Sequence, residues 1–147
     1  MDFIDEQQKP RGIFLLNIYH KDKLIERFED DNLIVTVGRE SVACLVGGDV
    51  AGRSVTQIGF GTNGTTANPA NTALTGAFVK AIDSHTYPVG TSVQFNFSLG
   101  TSEANGLSIS EFGLLTSAGY LHARKVRNGP LLKDVDISLT GTWTLVY

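Results

Sequence analysis

Hydrophobic and polar residues alternate along most of this chain, and the phase of the alternation divides it into strands. Gly12–His20 (GIFLLNIYH) is an apolar, β-prone run, and Lys21-Asp22 turns it back into Lys23–Glu29. In that second strand Leu24, Glu26 and Phe28 face one way and Ile25, Arg27 and Glu29 the other, until Asp30-Asp31-Asn32 breaks the hairpin. Val55–Phe60 alternates again and leads into Gly61–Asn71, a loop of Gly, Thr, Asn and Pro. A strand over Ala73–Ile82 follows, then a turn at Tyr87-Pro88-Val89-Gly90. Over Ser92–Leu99, Val93, Phe95, Phe97 and Leu99 share one face while Gln94, Asn96 and Ser98 share the other, the period of a half-buried antiparallel strand.

The second half carries the most specific pattern. Gly106–Val126 (GLSISEFGLLTSAGYLHARKV) reads as one hairpin with its turn at Ser117-Ala118-Gly119 and its return over Tyr120–Val126. Leu107 and Ile109 hold one parity and Phe112 and Leu114 the other, so a β-bulge is expected near Ser110-Glu111. After a loop at Arg127–Asp134, the final strand sets Val135, Ile137, Leu139, Trp143 and Leu145 on one face. Asp136, Ser138, Thr140, Thr142 and Thr144 occupy the other.

One segment breaks the period of two. Thr36–Gly47 predicts a helix, with Thr36 as N-cap, Glu40 near the first turn, an apolar surface of Val42, Ala43, Cys44, Leu45 and Val46, and a left-handed stop at Gly47-Gly48. The sum is a mainly β chain: an antiparallel β-sandwich over residues 12–147 with one short flanking helix near 37–47. Residues 1–11 form a polar arm in which Phe3 and Ile4 are either anchors on a partner or part of a frayed terminus.

Charge narrows the partners. The net charge is −3, with 12 basic and 15 acidic residues in short groups, which argues against nucleic-acid binding through a concentrated basic face. Arg124, Lys125 and Arg127 form the one basic cluster, and a solvated strand end is its plain reading. The acidic, polar start lacks the features of a signal peptide, and no apolar run approaches the roughly 20 residues that span a bilayer, so a soluble protein made in the cytoplasm, with no membrane insertion, is expected. The single cysteine, Cys44, excludes an internal disulfide and reads as core filler.

Candidate chemistry is thin. Gly59-Phe60-Gly61-Thr62-Asn63-Gly64 resembles a phosphate loop only superficially, since neither the Lys-Ser/Thr pair nor a long following helix is present. His20, His85 and His122 have no metal-ligand spacing, and Asp83 with His85 reads as a hydrogen-bonded surface pair. Glu103 and Glu111 could flank a glycosidase cleft, but such pairs arise by chance in β-proteins. There is no nucleophile elbow. Tyr19, Tyr87 and Tyr120 lie near turns, where a ring could stack on a sugar or cap the core edge. No enzyme and no cofactor are expected.

Three pieces in order, Val55–Leu74, Gly106–Arg127 and Pro130–Val146, resemble the N-terminal, baseplate-facing module of phage tail-fibre (tail-collar) proteins. In that family a hairpin of the form G-ρ-x-I-x-E-x-G-L-x-x-x-x-G-x-L, where ρ is apolar, precedes a loop and an alternating terminal strand. The matching positions are Gly106, Leu107, Ile109, Glu111, Gly113, Leu114, Gly119 and Leu121. In these positions Gly113 permits close approach beside the bulge, Gly119 supplies the turn, and Glu111 accepts hydrogen bonds from a neighbouring loop or subunit.

The resemblance implies a virion structural protein of the tail or baseplate that forms a homotrimer and docks other tail proteins. Phe3, Ile4, Thr140, Thr142 and Thr144 are the expected interface. Family members usually continue into a shaft and receptor-binding tip, so a chain of this length is expected to act as an adaptor or minor structural component. The alternatives are a module binding a host-surface glycan, a capsid decoration protein and a fibre-assembly factor.

Overall fold

A computed structural model of the chain describes residues 10–147. Strand β1 (Arg11–His20) turns back at Lys21 and Asp22, both in the left-handed region (φ 49° and 64°), into β2 (Lys23–Ile34). The expected break at Asp30-Asp31-Asn32 does not occur; β2 runs on to Ile34. Asn32 is held in the ladder because its Oδ1 accepts from the buried Trp143 indole at 2.8 Å, and Gly12 opposite it leaves room for the amide. Helix α1 (Thr36–Gly47) follows, then β3 (Val55–Gly61), β4 (Phe78–Ala81), β5 (Ser84–Thr86), β6 (Ser92–Leu99), β7 (Ser108–Thr116), β8 (Leu121–Leu132) and β9 (Ile137–Val146). Most of the expected strand over Ala73–Ile82 is loop, and the chain instead makes two short edge strands. The expected loop at Arg127–Asp134 is largely strand, because β8 extends through a left-handed Gly129 to pair Leu131 and Leu132 with Ile109 and Ser108.

The chain is mainly β, with antiparallel strands and one helix among the described residues. Its nine strands form one sheet in the order β4-β3-β7-β8-β2-β1-β9-β6-β5. The seam between β8 and β2 is only two residue pairs, Leu33 with Arg124 and Ile34 with Ala123. About that seam the sheet curls into a half-barrel. Rings from both wings meet inside: Phe14 of β1 lies 4.8 Å from Phe112 of β7, and Phe60 of β3 lies 6.2 Å from Phe97 of β6. Each such pair contributes about 0.5–1.5 kcal/mol beyond its area burial. Trp143, fully buried, packs edge-on against Phe14.

The terminal strand is not an edge. β9 sits between β1 and β6, with Thr140, Thr142 and Thr144 on its outer face and Ile137, Leu139, Trp143 and Leu145 inward; Val135 is exposed and precedes the strand.

The helix docks by a different face from the expected one. Val35, not Thr36, is the N-cap residue, and Gly38 and Ser41 are buried while Ala43 and Val46 are exposed. A methyl at Gly38 would overlap the His122 carbonyl oxygen of β8, so the backbone contact excludes any larger residue. The stop is at Gly48 (φ 91°). Cys44 is only half-buried and fills no core position.

Candidate functional site

Strand β7 is buried on both faces, and the register shift between Ile109 and Glu111 changes the parity of its apolar residues, so that Ile109, Phe112 and Leu114 all join the core. Phe112 and Leu114 point to the aromatic core. Glu111 and Gly113 share the opposite face with Gly59 and Gly61 of β3, their pairing partners, and this face is covered by the 62–75 loop.

Glu111 anchors that loop and is fully buried. Its Oε2 accepts the backbone amides of Asn63 and Thr75, each at 2.9 Å, and its Oε1 accepts from Arg124 Nε at 2.8 Å. Arg124, 1% exposed, donates onward to the Asn63 carbonyl (2.9 Å) and to Asn71 Oδ1 (3.0 Å). One buried ion pair thus closes both ends of the loop. Gly61 has no side chain to collide with the carboxylate, and Leu74 packs over the paired glycines: a methyl on Gly113 would lie 2.8 Å from Leu74 Cδ1. Both of the carboxylate's oxygens are taken by the protein itself, so Glu111 holds structure and offers no free base.

The other predicted residues fall apart spatially. Glu103 does not face Glu111; it accepts from Lys80 (2.8 Å) and from the Gly100 amide (2.9 Å), and the lysine hydrogen bond holds its carboxyl below the usual carboxylate range. The basic cluster is dispersed: Arg124 is buried, Lys125 pairs with Asp30 (2.7 Å), and Arg127 forks onto Glu26 (2.6 Å). His85 packs against Tyr87 and Phe95, and Tyr120 has the Arg53 guanidinium 4.2 Å over its ring. Among the described residues no group of three or more His, Cys, Asp or Glu gathers as a metal site, and no helix is long and apolar enough to cross a membrane. Gly106 (φ 90°) and Gly119 (φ 88°) occupy exposed turns. Phe3 and Ile4 lie outside the described residues.

Two buried cations and a histidine escaped sequence reading. Arg124 passed for one of a solvated cluster, although counting back from the Gly119 turn places it beside Gly113 and diagonal to Glu111. Lys133 is fully buried and donates to Asn105 Oδ1 (2.9 Å), the Asp134 carbonyl (3.0 Å) and the Thr101 carbonyl (3.4 Å); burial pushes its pKa down. His122 contacts Tyr147 Oη at 3.0 Å, and burial pushes its imidazole down to about 4 and the Tyr147 phenol up to about 12. These two residues border an open cavity between α1 and the inner face of the sheet.

The outer face of β1, β9 and β6 forms a second candidate surface. Thr140, Thr142 and Thr144 are flanked by Asn17, Leu15 and Ile13 on one side and by Ser98, Asn96 and Gln94 on the other. None of these nine residues is charged. No protein-family model matches the chain, and no curated protein or solved structure matches it either.

Proposed function

We propose that this chain is a non-enzymatic structural module of a phage tail or baseplate, which assembles as a homotrimer and docks other tail components. The reading rests on the tail-fibre resemblance of the Gly106–Leu121 hairpin. The structural observation that supports it is that Ile109, Glu111, Gly113 and Leu114 are all buried and pin a loop, as an architectural motif requires and a catalytic one does not. In this reading the two wings of the half-barrel serve as the layers of a sandwich. The uncharged outer face around Thr140, Thr142 and Thr144 is the subunit contact, since interface centres are depleted of charge. Its rim is charged, through Arg27, Glu29 and Asp31 of β2.

Multi-angle light scattering tests the assembly: the expected mass is three times the 15.8 kDa of the chain, and Thr142→Arg should return a monomer. A monomer of the unaltered chain at micromolar concentration would remove the trimer. Immunogold labelling of purified particles then tests the location, with label on tails expected and label on capsids pointing to a decoration protein. The glycan-binding alternative is weakened at Tyr120, whose ring is stacked by Arg53.

A further inference from the structure

We propose that the cavity between α1 and the inner face of the sheet is a small-molecule site for a compact apolar monocarboxylate. Its apolar body lies against β6 and β9, and Arg53 forks its carboxylate. The proposal is independent of the phage reading, and the site lies on the opposite face of the sheet from Thr140, Thr142 and Thr144.

Strand pairing builds the floor of this cavity. Val93 of β6 stands directly opposite Leu145 of β9, and both turn inward with Phe95, two positions further along β6. On an antiparallel pair such residues lie side by side on one face, here an apolar one. The close contact of α1 with β8 is made at Gly38, nearer the start of the helix. Further along, Val42 and Leu45 are only half-buried and form the opposite wall. The enclosed volume is about 300 Å³. That is the lower end of the range for small-molecule sites, which combine apolar walls with a few placed polar groups.

The placed polar group is a cation held from two sides. Arg53 borders the cavity just before β3. Its Nη1 donates to the hydroxyl of Ser41 at 3.3 Å, and its guanidinium carbon lies 4.2 Å over the Tyr120 ring. Ser41 is itself fully buried, so the helix fixes the hydroxyl that fixes the arginine. A guanidinium stacked by its face donates through its edge, and the two oxygens of a carboxylate match that fork. Preorganisation of this kind lowers the ordering cost of binding.

The rest of the wall favours one negative charge and no more. His122 and Tyr147 meet at 3.0 Å and both border the cavity. Burial pushes the imidazole down to about 4 and the phenol up to about 12, so at neutral pH neither offsets nor adds to the charge of Arg53. A dianionic phosphate would set a second charge against Val93, Phe95 and Leu145, at a desolvation cost that a single carboxylate avoids.

A backbone-amide NMR titration of the full chain tests this, with naphthoate and naphthamide as probes of one shape that differ in charge. Naphthoate should give saturable shifts at Val93, Phe95 and Leu145, and naphthamide should bind at least tenfold more weakly. Arg53→Gln should remove that preference, and Val93→Trp should fill the cavity and abolish binding of both probes. The comparison of acid and amide on the unaltered chain needs no variant to fold. Equal affinity for the two probes would overturn the proposal. So would the absence of saturable shifts up to about 5 mM naphthoate, shifts centred on Thr140 and Thr142, or undiminished binding to Val93→Trp.

Discussion

Replacing Glu111 by glutamine keeps the side-chain shape but removes the charge that faces Arg124. The new amide can keep its oxygen toward the Asn63 and Thr75 amides, but its nitrogen then confronts Arg124 Nε, donor against donor. Turned the other way, it opposes two backbone donors instead. Either orientation leaves a guanidinium that is 1% exposed without its counter-ion. Breaking a buried pair from one side costs about 3–5 kcal/mol, a large share of the roughly 5–15 kcal/mol that holds a domain folded. For a chain of 147 residues that is a fall in Tm of about 10–15 °C. Arg124→Met should cost a similar amount, since it leaves the carboxylate buried and deprives the Asn63 carbonyl and Asn71 Oδ1 of their donor. The double variant should cost clearly less than the two together, because no uncompensated charge remains. Urea denaturation of all four proteins gives the coupling energy, and hydrogen exchange at Asn63 and Thr75 reports on the loop directly. An E111Q chain within about 1 kcal/mol of the parent, or strictly additive effects, would refute the claim that this pair holds the 62–75 loop.

Three further outcomes follow from particular contacts. Gly38→Ala should lift α1 off β8 and cost more than about 2 kcal/mol, against the small gain alanine normally brings inside a helix, and thermal melting decides the sign. His122 titrates near 4 in the fold against an ordinary 6.5, so the unfolded chain takes the proton first. The stability contributed by the neutral ring, at most about 3 kcal/mol, is whole above pH 6.5 and drains away as pH falls toward 4. Urea midpoints should drop between pH 7 and 4.5 and the drop should vanish in His122→Gln; equal midpoints in the parent would contradict it. The carboxyls of Glu26 and Glu103, held low by Arg127 and Lys80, add their own losses below that window. Asn32→Ala should orphan the Trp143 indole N–H, at about 1–3 kcal/mol by denaturant unfolding followed through tryptophan fluorescence.

Local periodicity made most of the strands legible. The Ser92–Leu99 strand, the Lys21-Asp22 turn and the bulge at Ser110-Glu111 can all be read from residues within a few positions of one another, because each depends on parity or on a turn's own backbone. The errors fall where a distant partner overrides the local signal. Asp30-Asp31-Asn32 has loop composition, yet Lys125 and Trp143 supply partners that keep it in the ladder. Gly129-Pro130 looks like a stop, yet β7 continues to pair beyond it. On α1 Ala43 and Val46 face outward, Val42 and Leu45 are only half-buried, and the small residues Gly38 and Ser41 make the buried contact, because close backbone approach to β8 selects size over hydrophobicity.

The site obeys the same physics at longer range. Glu111 stands out in the sequence as one acid on an apolar hairpin, and burial of a charge demands a partner. That demand is legible, but its answer is not: the partners Asn63 and Thr75 lie 48 and 36 positions away on a loop with no period at all. Arg124 is only 13 positions away and within the same hairpin. It is obscured by its neighbours Lys125 and Arg127, which are charged for the ordinary reason that they pair with the surface acids Asp30 and Glu26. A run of like charges on a strand alternates between faces, so alternate members meet opposite environments. Arg124 shares its face with Glu111 and Gly113, and there the loop closes over it. Parity, applied to the charges as strictly as to the apolar residues, separates the arginine buried against Glu111 from the lysine beside it, which turns to the opposite face and pairs with Asp30.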